Sequence, residues 1–556
     1  MSSKRIYGID LGTTYSCISF VDESGKPVVI PNVEGDLTTP SVVYFESADN
    51  IVVGKQAKNS SRLFPDRTVA FVKRFMGDAR WEKMIDGRAW KPEEISARIL
   101  RKVVDDASDK VGEPITDVVI TCPAYFGVNE REATKNAGRI AGLNVRHILN
   151  EPTSAAIAYG MDKKGDSVIL VYDLGGGTFD VTLIQVREGA IQVLYTDGNH
   201  ALGGKDWDDR IANHLAQQFI NEHPDAGDPR DDPEALQDLA LGAEEVKQGL
   251  SAKEKVPRGV SRAGIRSGVV LTRDQFEQLT ADLLEQTMKY TEGAIQAAAD
   301  AQVKIDKLLL VGGSSKMPYV RRTLQERFGL DGQMFDPDQA VAKGAAIQGM
   351  HILAGDMVRE EIGKLERKNA KDIDLKTVDR KILERAAANA SAGAGSLVRM
   401  SAGELMREAT RVIVNVASRS FGVVALNNDD QRKVFHLVHA QQRLPAETTD
   451  TFYTKSANTR AIEILVMESE SRKESPELDA NREICKGDLK DLPPNLPKGA
   501  PIEVTFRLVE DGTLDVTAIE PGSRRELKLQ VSKIDGVMTD EEVDEARSIL
   551  RRESIS

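Results

Sequence analysis

Tyr172-Asp173-Leu174-Gly175-Gly176-Gly177-Thr178-Phe179-Asp180 is the stretch from which the fold can be read. An apolar run over residues 168–171 enters it and an alternating run over 181–186 leaves it, the pattern of strand, tight turn and strand. Glycines let the backbone reach positive φ and bring its N–H groups against an anion with no Cβ in the way, so the turn reads as a phosphate grip. Asp173 cannot bind phosphate directly, but a carboxylate beside a phosphate site suits a Mg2+ ion that keeps several of its waters.

A second copy stands at the N-terminus. Tyr7-Gly8-Ile9-Asp10-Leu11-Gly12-Thr13-Thr14-Tyr15-Ser16-Cys17 has the same shape and leads into a strand over residues 18–21. One glycine turn is most simply an ordinary hairpin. Two matched Asp-Leu-Gly hairpins point to two related lobes, each offering a loop and an aspartate to one shared nucleotide.

The chain of 556 residues has room for about three or four domain-sized units. Its 40% apolar and 29% charged residues are those of an ordinary soluble globular protein. A net charge of −13 argues against a nucleic-acid binder, which needs a basic face. Cys17, Cys122 and Cys485 are too few and too scattered for a disulfide framework or a zinc site. Residues 1–5 run straight into the first strand, which leaves no room for a signal peptide, and no apolar run approaches membrane-spanning length. A reducing cytoplasm is the expected home.

Strands and helices alternate through the first 353 residues, so the expected class there is α/β. Residues 41–45 and 117–123 read as strands, and 92–108 as an amphipathic helix with Ile95, Ile99, Val103 and Ala107 at fourfold spacing. Lys73 and Arg74 read plainly as solvated charges; a lysine near a γ-phosphate would instead orient attacking water. Glu151, in Asn150-Glu151-Pro152-Thr153-Ser154, is either a helix-dipole acid or a group at the ligand end of a sheet. Glu244, Lys247 and Ser251 lie on neighbouring turns of one helix, as a salt-bridged exterior or as a nucleoside contact. The turn at 198–204 and the strand with its Gly312-Gly313-Ser314 turn are further places where backbone can press against a ligand.

Segments 9–16, 171–181 and 309–318 resemble the three signature stretches of the DnaK-type 70-kilodalton heat-shock chaperones, and Asn150-Glu151-Pro152-Thr153 and Leu202-Gly203-Gly204 fit the same family. The resemblance implies an actin-like ATPase domain over residues 1–353, two lobes closing on ATP or ADP with Mg2+, and it leaves room for K+. By it, Asp10 and Asp173 hold Mg2+ through water. Thr13, Thr14 and Thr178 lie at the phosphates, and Gly12, Tyr15, Gly175, Gly176, Gly177, Gly203 and Gly204 also bind the nucleotide. Lys73 and Glu151 position the hydrolytic water, with Asp180 as proton acceptor. Gly312, Gly313, Ser314, Glu244, Lys247, Ser251 and Asp338 enclose the adenosine. Where the family often has an adenine-stacking arginine this chain has Gln248, a lost contact. Pro123 and Arg131 match the interdomain relay.

Beyond residue 353 the composition changes. Residues 354–411 read as a charged, largely helical or flexible insertion, with an Ala/Gly/Ser stretch at 386–396, in place of the short leucine-rich acidic linker of family members. Val412-Ile413-Val414-Asn415-Val416 reads as a strand. Short strands then fill a β-sandwich domain over 412–537, its Asp511-Gly512 a hairpin signal. By resemblance this is the peptide-binding domain, with Val423, Leu426, Phe452, Ile462 and Ile464 lining the groove; ordinary core is an equal reading of each. Thr539-Asp540-Glu541-Glu542 is a capping box opening a short helix over 538–556, a remnant of the family's lid. The resemblance implies an ATP-hydrolysing chaperone for unfolded or extended peptides, with J-domain and nucleotide-exchange partners. An ATP-binding regulator of the same fold and a sugar-kinase-like phosphotransferase are the rival readings.

Overall fold

The computed structural model describes residues 5–160, 165–187, 190–393, 400–471, 473–510, 512–530 and 537–556. Met1 to Lys4, residues 394–396 of the alanine-rich stretch, Asp511 and Val531 lie outside them. The chain is mixed α/β with several sheets.

The first hairpin joins Tyr7–Asp10 to Tyr15–Val21, antiparallel, and Tyr7–Asp10 also pairs in parallel with Asp117–Cys122. The second joins Ser167–Leu174 to Phe179–Arg187, and Ser167–Leu174 pairs in parallel with Lys307–Val311. The two sheets thus repeat one plan, in which a central strand carries an aspartate as its last or last-but-one residue, an antiparallel hairpin partner on one side and a parallel strand on the other. The continuous apolar runs read in the sequence are the doubly covered strands such a plan needs. Close packing follows: a Cβ at Gly8 would collide with the backbone of Ala342, Ala345 and Ala346, on the helix Ala340–Glu366.

That helix corrects the expected boundary at 353, which falls in its middle. Helices Arg380–Gly393 and Ala402–Ala409 fold back onto it around Ala354, Val358, Ile362, Ala386, Ala387 and Leu405. The stretch read as loose is helical through residue 393 and packed as far as Ala390, because small alanines at 386, 387 and 390 form one face that lets helices approach closely.

Ile413–Val414 is a strand, as expected, but it joins the edge of the second lobe's sheet, parallel to Ala190–Asn199, and not the β region that follows. That region has two four-stranded antiparallel sheets sharing one core, in which Ile502, Val504, Phe506, Val466 and Val516 are buried. Strand Asn481–Leu489 had no counterpart in the sequence reading; charges and Gly487 break its alternation, though Ile484, Cys485 and Leu489 are buried.

The capping box at Thr539 forms as expected, with Thr539 accepting from the Glu542 N–H and Glu542 from the Thr539 N–H. The helix it starts, Asp540–Leu550, packs on the first lobe: Met538, Val543, Ala546 and Leu550 join the first lobe's core. Ser554–Ile555 then adds a parallel strand to Asn50–Val53, and Glu553 pairs with Arg98 in a site where both side chains are shut from water.

Candidate nucleotide site

The two hairpin turns meet across a cleft of about 470 Å3. A Cβ at Gly176 would strike the Thr14 side chain and one at Gly177 the Thr13 side chain, so only glycine lets the loops close on each other. Asp10, Gly12, Thr13, Thr14, Tyr15, Lys73, Glu151, Asp173, Gly175, Gly176 and Thr178 line the cleft at one end, and Glu244, Lys247, Ser251, Gly312, Gly313, Ser314 and Asp338 continue the lining. Phe71, Asp208, Gln248 and Lys316 share the lining; of these sequence reasoning gave only Gln248 a role, because nothing local marks the others.

Four expected residues sit behind the wall. Gly203 packs on the backbone of Gly177, and the Gly204 N–H donates to the Gly175 carbonyl at 2.9 Å. Gly177 turns its carbonyl away to Arg74. Asp180 is buried and accepts from the Tyr125 N–H at 3.1 Å.

Lys73 and Glu151 form a buried ion pair. Burial works against the Lys73 ammonium, but the charges of Glu151 and Asp10 outweigh it and hold its pKa above the usual lysine value. Burial first and the Glu151 charge second push the Asp10 carboxyl up to about 7 and that of Asp180 to about 8. Burial, with Glu151, Asp180 and Asp10 behind it, pushes Asp173 well above the carboxylate range. Three acids driven up this way against one lysine make a site short of positive charge, and a divalent cation supplies it. Among the described residues no three His, Cys, Asp or Glu groups converge to ligate an ion directly. The donor set therefore fits an ion that keeps most of its waters, as Mg2+ does.

The helix Pro233–Ala252 spans the cleft's second side. Glu244 accepts from Lys58 of the first lobe at 2.6 Å, while Lys247 donates to the Gly204 carbonyl and to Asp208, each at 2.8 Å. Gln248 bonds Glu244 at 3.2 Å and Lys316 bonds Asp338 at 2.5 Å.

Of the two relay residues, Pro123 opens a turn closed by the Phe126 N–H on its carbonyl at 3.1 Å, and Arg131 lies in the first turn of the helix Val128–Ile140 that follows. Arg131 donates to Asn150 at 2.6 Å, next to Glu151, and to the carbonyls of Ala124 and Phe126; Gly512 of the β region packs against its side chain. The Val128 N–H donates to Glu468 of the β region at 3.2 Å, which caps that helix from a strand far along the chain. Glu130 faces Arg482 at 3.0 Å; burial alone would raise its pKa, but Arg482 and Arg419 hold it at about 2. Of the expected groove residues, Val423 and Ile464 are buried in the β core, Phe452 and Ile462 are half-buried against it, and only Leu426 is exposed. Two of the five are thus core residues here, because their side of each strand faces the opposing sheet. Among the described residues no helix is long and apolar enough to cross a membrane.

A family profile described as Hsp70 protein matches residues 6–369 and 390–553. A protein named chaperone protein DnaK from Deinococcus deserti is 35% identical over 590 aligned positions, covering 99% of this chain and 84% of the relative. Its namesake from Deinococcus proteolyticus is 36% identical over 558 positions, covering 95% and 78%.

Proposed function

The chain belongs to the Hsp70 family, and on that premise we propose how its cleft and its β region share the work of an ATP-dependent chaperone. The protein is an ATPase and a molecular chaperone. In our reading the two lobes form the actin-like engine and the β region the sandwich that holds apolar peptide. Residues Thr13, Thr14, Gly175, Gly176 and Thr178 cradle the phosphates, and Asp10 and Asp173 hold hydrated Mg2+, which when bound neutralises charge developing on the transferred phosphoryl group. Lys73 and Glu151 fix the attacking water, and the enclosing helix with Gly312–Ser314 takes the adenosine. Asp180, turned to Tyr125, holds the 123–126 turn in place, in which role it links the phosphate end of the cleft to the β region. J-domain and nucleotide-exchange proteins are the co-chaperones this reading implies.

The observation that carries the reading is the contact of Thr13 and Thr14 with Gly177 and Gly176, two matched turns closing on one cavity. ATP turnover measured with and without an extended apolar peptide tests it, with Lys73→Ala as control. Turnover stimulated by peptide and abolished in Lys73→Ala is expected. Tight ATP binding with no turnover and no response to peptide would favour a regulator instead.

A further inference from the structure

Lys73 has a neighbour whose side chain bridges the two lobes. Arg74 lies on the short turn Val72–Phe75 of the first lobe, yet its Nε donates to the Gly177 carbonyl at 2.8 Å and its Nη2 pairs with Asp206 at 2.5 Å, both in the second lobe. The remaining carbonyls of the glycine turn are held by the second lobe itself: Gly175 accepts from the Gly204 N–H at 2.9 Å and Gly176 from the Lys205 N–H at 2.8 Å. All three carbonyls are thus taken up away from the cleft, and with the Gly175 N–H bonded to the Thr178 carbonyl at 3.0 Å it is the Gly176 and Gly177 N–H groups that are left for an anion. Asp206 also accepts from the Gly203 N–H at 2.8 Å, so the guanidinium grips the start of the helix that anchors the turn.

A second contact holds the same segment. Lys205 of the second lobe lies 5.5 Å from the centre of the Phe71 ring, and Phe71 has a φ of 59°, a left-handed conformation that a bulky residue holds only at a cost. Residues 71–74 are thus fixed by contacts from the second lobe, and Lys73, between the two contacts, is fixed with them.

We infer that Arg74 is a positioning residue for ATP hydrolysis: by taking the Gly177 carbonyl and Asp206 together it sets the third glycine of the phosphate turn and Lys73 in register when the lobes close. A planar guanidinium with several fixed donors can serve both acceptors at once, whereas a lysine ammonium cannot span them in the same geometry. The inference rests on the cleft being the nucleotide site.

The test compares single-turnover hydrolysis of pre-bound Mg-ATP with the affinity for a fluorescent ADP, in the full chain and in Arg74→Ala, Arg74→Lys and Lys73→Ala. Hydrolysis should slow by about tenfold or more in both Arg74 variants while ADP affinity changes by less than about threefold, the pattern of misplacement rather than lost binding. Should Arg74→Ala fail to fold, Arg74→Lys keeps a charge opposite Asp206 and carries the test. Hydrolysis by Arg74→Lys within about twofold of the unaltered protein, or a rate loss matched by an equal loss of affinity, would overturn the inference. Lys73→Ala separates the two levels: slow there and unchanged in the Arg74 variants removes Arg74 alone, whereas unchanged in all three removes the cleft as the site.

Discussion

The acids of the cleft hold more protons than their type would in water, and this makes nucleotide binding a proton-releasing event. Asp10 titrates near 7 and Asp173 well above its ordinary range, both driven first by burial. A cation beside them favours the ionised forms, so protons must leave as Mg-nucleotide enters. Release should be largest on the acid side of pH 7 and shrink as Asp10 ionises, with Asp173 supplying the remainder at higher pH. Calorimetric titration in two buffers of different ionisation enthalpy reads this directly; a binding heat independent of buffer at pH 6.5 would contradict it. The stability sign is the reverse of a salt-bridged carboxylate. Because folded pKa values exceed unfolded ones, the nucleotide-free protein binds more protons than the unfolded chain, and these groups make its stability fall as pH rises from about 4 through 7. Mg-nucleotide should suppress that fall in the thermal midpoint.

Among elements, the C-terminal segment carries the sharpest energetic prediction. Arg98 and Glu553 are both shut from water, and Trp90 lies 4.3 Å from the Arg98 guanidinium. Removing one partner of such a pair costs roughly 3–5 kcal/mol because the other is left charged and unpaired. Glu553→Ala should therefore lower the urea midpoint, and pairing it with Arg98→Met should restore most of the loss. An unchanged midpoint in Glu553→Ala would mean the segment is not docked in solution. The edge strand gives a second test: Ile413→Asp places a charge among the apolar residues it packs with. It should leave nucleotide affinity intact and remove peptide stimulation of ATP turnover; stimulation at full strength would deny that strand a coupling role.

These same elements show where the sequence was legible. The Asp-Leu-Gly hairpins could be read because turn chemistry is local: glycines, an aspartate and flanking apolar runs fall within one short window. The Thr539 capping box was legible for the same reason. What the helix behind it would pack against was not, since Val543, Ala546 and Leu550 mark an apolar face without naming its partner. Likewise Ile413 and Val414 announced a strand but not which sheet would take it. Arg74 read as a surface charge because both its acceptors lie more than a hundred residues away. Val423 and Ile464 were ambiguous between groove and core because alternation gives two faces and does not say which one meets the opposing sheet.

At the scale of the whole molecule, one helix start joins the two ends. The Tyr125 N–H bonds Asp180 at the back of the cleft, and three residues on the Val128 N–H bonds Glu468 of the β region, with the Val128 side chain buried in that region's core. Gln441 of the β region exchanges two hydrogen bonds with the Thr196 backbone beside the edge strand, at 3.0 and 2.9 Å. Any shift of the 123–126 turn that follows a change at the phosphates must therefore be felt by the β region, and reciprocally. Release of a pre-bound fluorescent apolar peptide, followed by stopped flow after mixing the full chain with Mg-ATP or Mg-ADP, tests this coupling most directly. Release at least about tenfold faster with ATP than with ADP is expected, a coupling of the usual size between linked sites. Equal release rates with the two nucleotides, both bound to saturation, would contradict it.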